Sequence, residues 1–368
     1  MEKQYKYIDL IDALNYGGVH VITGKNGSGK SRFLQYSTSL IFNEIVHKKS
    51  RFAKMLCFSG TMHDKYPRDI YASGKVEDVN ESVVYLGNKV NNNMISDLAP
   101  FRVLTRHILN RSNVAYDNQN KINSVFSIVG FDSTITLKFR FAKGRKDIAS
   151  SKIAQEMSLD FTGGFTFLDD LELFYNHVEN GDLLLSDMVF SKSSKSYGLS
   201  DLSSGEKQYI LTLLGCLFCG GDNAVLFYDE PENSLHPTWQ LNIVRNLVEI
   251  SSSMYPCTTI IVATHSPLIV GSIKNTSSFL CDFSKDYKWH KVKLFGKTSD
   301  SILRDQFHLF SARTPEVAIL VNKSLSMITN QKQSTDEFKA IQEELINLNL
   351  DLSNDDSMSR IVRTILEF

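Results

Sequence analysis

One octapeptide constrains this chain more than any other stretch. Gly24-Lys25-Asn26-Gly27-Ser28-Gly29-Lys30-Ser31 satisfies the phosphate-loop pattern G-x-x-x-x-G-K-[ST] at every position. It follows a strand-like run, Val19-His20-Val21-Ile22, and opens an apolar-periodic segment carried by Phe33, Leu34, Leu40, Ile41 and Ile45. Strand, glycine-rich turn and helix in that order are the context the motif needs. The residue types follow from the chemistry. Gly24, Gly27 and Gly29 let the backbone curl so that loop N–H groups, those of Asn26 and Ser28 included, face a polyphosphate at a helix N-terminus. Lys30 supplies a point charge for the β- and γ-phosphates, and the Ser31 hydroxyl is a magnesium ligand. The loop predicts a bound nucleoside triphosphate.

A second cluster lies far downstream. Leu202-Ser203-Ser204-Gly205-Glu206-Lys207-Gln208 precedes an apolar helix-like run from Tyr209 to Phe218. Ala224-Val225-Leu226-Phe227-Tyr228-Asp229-Glu230-Pro231-Glu232 is a buried-strand pattern closing in carboxylates. Thr259 to Ala263 is another apolar strand, running into Thr264-His265-Ser266-Pro267. In order, these segments resemble the signature, the Walker B strand with its catalytic glutamate, and the switch histidine of ABC-type ATPases. Four motifs in sequence, each on its expected element, are far more specific than any one.

The resemblance assigns each residue a task. Asp229 orients the magnesium shell, and Glu230 polarises the attacking water as general base. His265 contacts the γ-phosphate. Ser203, Ser204, Gly205 and Glu206, opening their helix, present a dipole and N–H donors to a γ-phosphate. Glu232 is either a supporting residue or a surface acid. ABC-type ATPases also carry a magnesium-sensing glutamine between the phosphate loop and the signature. The matching strand, Met55 to Gly60, continues into Thr61, Met62, His63 and Asp64 with no glutamine, so that position stays open.

The wording of the third motif narrows the family. Asp229-Glu230-Pro231-Glu232-Asn233-Ser234-Leu235-His236-Pro237 is unlike the transporter form and resembles the OLD family and the stand-alone ATPases of bacterial antiphage systems, including Septu and retron-associated ATPases. Thr298 to Phe307 is similar to a stretch that such defence ATPases carry after the head. The preference for ATP over GTP is implied by the family; Tyr5, Tyr7 and Tyr16 are the candidates for stacking on the base.

Composition sets limits. A chain of 368 residues with 42% hydrophobic content can bury a nucleotide-binding head and an attached subdomain. A net charge of −1 gives no global argument for nucleic acid. No run of about twenty apolar residues suggests a membrane span, and Met1 to Lys6 lacks the apolar core of a signal peptide. Five cysteines without framework spacing fit a reducing cytoplasm. Cys216 and Cys219 read as two small core residues one helical turn apart, and the histidines show no zinc spacing.

The expected fold is α/β: an ABC-type P-loop ATPase head with an inserted α+β subdomain and a helical C-terminal region. The head occupies residues 1–95 and 200–290, the insertion 96–199 and the helical region 291–368. Within the insertion, Val125 to Val129 and Thr134 to Phe141 read as a hairpin turning at Gly130 to Ser133, and Ser191 to Ser196 as a loop. Beyond residue 290, Ser334 with Glu337 suggests a capping box, and Phe338, Ile341, Leu345, Leu348, Ile361, Ile365 and Leu366 form stripes that would pack on the head or meet a partner. Asp351, Asp355 and Asp356 read as solvated rather than catalytic.

In ABC-type ATPases the signature of one head faces the phosphate loop of another. The resemblance therefore implies a cytoplasmic homodimer around ATP, with larger assemblies left open, holding or releasing a separate effector, a nuclease by analogy. The alternative is a RecF-like DNA-repair clamp. It would use the cation–aromatic runs His47 to Lys54 and Lys138 to Lys146 on nucleic acid.

Overall fold

Apolar runs with no polar face must be covered on both sides, and here they pair with one another to form the centre of the molecule. The computed structural model describes residues 2–72, 81–91, 93–142, 154–163, 165, 167–274, 277–297, 301–303, 315–350 and 357–368. The chain begins α1 (Glu2–Asp12), β1 (Val19–Thr23), α2 (Lys30–Val46), β2 (Lys54–Ser59), α3 (Arg68–Tyr71), β3 (Val83–Leu86), β4 (Lys89–Asn91) and β5 (Met94–Ile95). It continues through α4 (Ala99–Leu109), α5 (Gln119–Val129), β6 (Thr134–Phe141), β7 (Glu156–Asp160), α6 (Leu168–Glu179), β8 (Leu183–Lys192) and β9 (Lys195–Tyr197). Then come α7 (Ser204–Cys219), β10 (Ala224–Asp229), α8 (Pro237–Met254), β11 (Thr259–Ala263), α9 (Pro267–Ser272), β12 (Ser278–Asp282) and β13 (His290–Lys291). Three helices close the chain: α10 (Pro315–Thr329), α11 (Asp336–Asn347) and α12 (Ser357–Glu367).

The central sheet has seven strands in the order β13-β12-β1-β11-β10-β2-β3, all parallel except β13. In register, Asp229 lies beside Ala263 on one side and Ser59 on the other, and Ile22 lies beside Ala263. The carboxyl ends of β1, β11, β10 and β2 therefore share one edge, where open α/β sheets bind their ligands. The fold is α/β, with a parallel-dominated sheet and the phosphate loop between β1 and α2.

The segment between the two halves of the sheet contributes a four-stranded antiparallel sheet, β7-β6-β8-β9. Here two expectations change. Val125 to Val129 is not a strand but the last turns of α5, which Asn118 caps by accepting from the Lys121 N–H and Gly130 ends in the left-handed region at φ 79°. A five-residue apolar run cannot separate period 2 from period 3.6, and the polar turns before it were the missing signal. The partners of β6 are β7 and β8. Ser191 to Ser196 is the tip of the β8–β9 hairpin, with Ser193 and Ser194 at φ 50° and 64°, the signs a tight two-residue turn requires. Cys216 and Cys219 are buried in α7.

The chain divides into two compact units, Met1–Lys297 and Thr298–Phe368. In the second, Val317, Val321, Phe338, Ile341, Leu345 and Ile365 close on one another into a core of their own. Leu348 and Leu366 stay exposed. The cap of α11 is Thr335, which accepts from the Phe338 N–H, and Glu337 pairs with Lys323 at 2.7 Å, so Ser334 forms no capping box. Most of Thr298 to Phe307, the run Lys143 to Lys146, and Asp351, Asp355 and Asp356 lie outside the described residues. Among the described residues no helix is long and apolar enough to cross a membrane.

Candidate functional site

The phosphate loop leaves β1 at Thr23 and enters α2 at Lys30. Gly29 caps that helix at φ 115°, and a Cβ there would also lie 2.8 Å from the Tyr7 hydroxyl, so only glycine fits. Lys30 is buried; its ammonium donates to the Gly24 carbonyl at 3.0 Å, which folds the side chain back over the loop. Burial pulls the Lys30 pKa down, opposed by the charges of Glu230, Glu232 and Asp229. The Ser28 hydroxyl is buried with no hydrogen-bond partner among the described residues.

Asp229 ends β10 almost fully buried, and Ser31 Oγ donates to its Oδ1 at 3.4 Å. Burial first, then the charges of Glu230 and Asp64, push the Asp229 pKa up to about 7. A hydroxyl beside a carboxylate crowded by the charges of Glu230, Asp64 and Glu232 is an oxygen-donor pair suited to a hard divalent cation, so Ser31 and Asp229 fit magnesium.

Glu230 adopts φ 48°, a conformation that side chains other than glycine seldom take. Its carboxylate Oε2 accepts from the Asn233 amide at 2.9 Å, and Oε1 lies 3.5 Å from His265 Nε2. The His265 ring first, then Asn233 and Lys30, hold the Glu230 pKa below its ordinary value. Lys30 Nζ also lies 2.7 Å from His265 Nε2. A ring whose Nε2 is bare accepts from Lys30, and one whose Nε2 carries hydrogen donates to Glu230.

His265 is held by its neighbours. Glu232 accepts from the His265 N–H at 2.5 Å and from the Thr264 hydroxyl at 2.8 Å, and Ser266 Oγ donates to Gln240 at 2.7 Å. Glu232, left open by the sequence, thus ties the loop after β11 to the loop after β10. His236 caps α8 and Pro237 is its first residue, a local reason for the His-Pro pair.

A pocket of about 250 Å³ lies between these groups. Asn26, Gly27, Gly29, Lys30, Ser31 and Arg32 line it from the phosphate loop, and Glu230 and His265 from the ends of β10 and β11. Lys65, from the segment after β2, lines it as well, and no sequence pattern announces it. The remaining signature residues are elsewhere. Ser203 and Ser204 are exposed, and Ser203 caps α7 in a capping box, accepting from the Glu206 N–H while Glu206 accepts from the Ser203 N–H at 2.9 Å. None of Ser203, Ser204, Gly205 and Glu206 lines the pocket.

Of the three tyrosines weighed for base stacking, Tyr5 is exposed and Tyr16 packs by Phe52 under Arg51. Tyr7 reaches a second pocket of about 420 Å³ beside the loop, but its ring is packed against Phe33 and Phe283. Its hydroxyl donates to the Gly29 carbonyl at 3.4 Å, so it braces the loop.

Residues 109–271 match a family model described as "AAA domain, putative AbiEii toxin, Type IV TA system". The match takes in the signature, the Asp229–Glu230 strand end and His265, but not the phosphate loop, and covers under half of the chain. That stretch of the chain is thus similar to an AAA domain, and the phosphate-loop sequence lies outside it. The chain is also similar to the crystal structure of UvrA2 from Deinococcus radiodurans, at 15% identity and a TM-score of 0.29, over 73% of this chain and 33% of that one. It thus spans about a third of that protein's length. No curated protein matches the chain.

Proposed function

We propose that this chain binds ATP with magnesium and hydrolyses it to ADP and phosphate, and that two chains do so together. The observation that carries the reading is the convergence of Lys30, Ser31, Asp229, Glu230 and His265 at one sheet edge. In this reading Lys30 and the loop N–H groups hold the β- and γ-phosphates. Ser31 and Asp229 hold the magnesium, whose charge offsets that of the phosphates. Glu230, kept ionised, takes a proton from the attacking water, and His265 contacts the γ-phosphate. Ser203, Ser204, Gly205 and Glu206 of a second chain close over that phosphate, so closure follows nucleotide state.

The biological setting we infer is a prokaryotic antiphage defence complex in the cytoplasm. The dimer would hold or release a separate effector, a nuclease, according to the nucleotide bound. Support comes from the Asp229-to-Pro237 wording and from a matched family whose description names a toxin and a type IV TA system. The RecF-like clamp has less to draw on. Arg51 donates to the Ile11 and Leu14 carbonyls, Lys54 donates to the Gly220 carbonyl, and Lys138 pairs with Glu156.

Affinity purification of the Glu230→Gln protein from its native host, with ATP present, tests the setting. A stoichiometric nuclease or other toxic effector is the expected result. Recovery of only the homodimer with DNA would transfer the ATPase to the repair-clamp reading.

A further inference from the structure

Lys65 is an exposed lysine on a stretch of chain that is fixed on both sides. Its neighbours Asp64 and Tyr66 are buried. Asp64 Oδ1 accepts from the Tyr66 N–H at 3.1 Å, and Oδ2 from the Tyr85 hydroxyl at 2.6 Å. The Lys89 ammonium lies 3.1 Å from the same carboxylate, and the Tyr66 hydroxyl donates to the Phe58 carbonyl of β2 at 3.0 Å. Buried hydrogen bonds of this kind hold backbone in one place. Between them, Lys65 lines the pocket of Lys30, Ser31, Glu230 and His265, and has no hydrogen-bond or ion-pair partner of its own among the described residues.

Strand order says which end of a ligand it meets. The phosphate loop follows β1, and β2 lies on the far side of β11 and β10 from β1. A cation arriving after β2 approaches the pocket from the flank opposite the loop. Glu230 and His265, the groups assigned above to the attacking water and the γ-phosphate, follow β10 and β11 and so lie between the loop and that flank. We propose that Lys65 is a second ammonium for the terminal phosphate of the bound nucleotide, an assignment that rests on the P-loop reading above. An ammonium has donors and no lone pair, so it cannot ligate a metal and must contact phosphate oxygen directly. Its long stem places three donors at the pocket wall, adding to the charge that Lys30 and Arg32 present there to a triphosphate.

The test compares a fluorescent, non-hydrolysable ATP analogue with fluorescent ADP, both with magnesium, on wild type, Lys65→Ala and Lys65→Arg. The expected result is a loss of about tenfold or more in triphosphate affinity for Lys65→Ala, the order of one hydrogen bond to a charged group. Diphosphate affinity should stay within about twofold, and Lys65→Arg should recover most of the loss. Unchanged triphosphate affinity in Lys65→Ala, or an equal loss for both nucleotides, would overturn the assignment. If wild type binds neither nucleotide, the P-loop reading itself fails and takes Lys65 with it. If wild type binds both and the variants do not differ, only Lys65 is misassigned.

Discussion

At the scale of the residue, the site is made by side chains whose types the chemistry dictates and by backbone positions that it does not. Lys30, Ser31, Asp229, Glu230 and His265 could be named from sequence, because a phosphate loop, a strand closing in two acids and a histidine after a buried strand have few other uses. Gly60 could not. It follows β2, donates its N–H to the Asp229 carbonyl at 2.8 Å, and a Cβ there would fall 2.0 Å from the Glu230 carbonyl oxygen. Gly60→Ala must therefore push the strained Glu230 turn out of place. The expected outcome is a fall of about a hundredfold in ATP hydrolysis, the order of a lost general base, with nucleotide binding retained, checked by phosphate release and nucleotide titration. Wild-type turnover in Gly60→Ala would show that the Glu230 geometry is not what this contact maintains. Lys65, Asn233 and Gln240 were illegible for the same reason: their roles depend on where the chain has already travelled.

At the scale of the element, short apolar runs are legible where a recognisable loop flanks them and ambiguous where none does. The β1, β10 and β11 strands and the α7 helix follow from unbroken apolar runs beside recognisable loops. The apolar tail of α5, Val125 to Val129, resembles a strand because only the polar turns before it show the helical period. β1 also carries a cost the pattern hid. His20 is fully buried there, stacked on Phe279 at 4.9 Å and edge-on to Trp289, with Nε2 accepting from the Asn15 N–H. Burial lowers its pKa to about 4. A folded-state value below the ordinary 6.5 means that the unfolded chain takes up the proton first. Stability is then full above about pH 6.5 and drains away as pH falls toward 4, by up to about 3 kcal/mol. Denaturant titrations of wild type and His20→Gln at pH 7.5 and 4.5 should show this acid loss shrinking in the variant. An equal loss in both would place the sensitivity elsewhere; His107, lowered to about 3 by burial, carries the same sign.

At the scale of the whole molecule, the first unit holds a pocket lined by Lys30, Ser31, Glu230 and His265, and a signature-like turn that does not line it. If that turn serves a second chain, ATP hydrolysis per chain should rise with protein concentration and then level off. A specific rate flat across the range where the protein is monomeric would argue that one chain suffices. The second unit became legible only when Phe338, Ile341 and Ile365 were seen to bury one another, because a stripe in sequence does not say what covers it.

The most direct test of the central claim is magnesium-dependent phosphate release from ATP by wild type, Glu230→Gln and Lys30→Ala, with ATP binding measured on the same preparations. The account predicts hydrolysis by wild type, a loss of about a hundredfold or more in Glu230→Gln with ATP still bound, and loss of binding itself in Lys30→Ala. Undiminished hydrolysis in Glu230→Gln, or full ATP binding in Lys30→Ala, would contradict it.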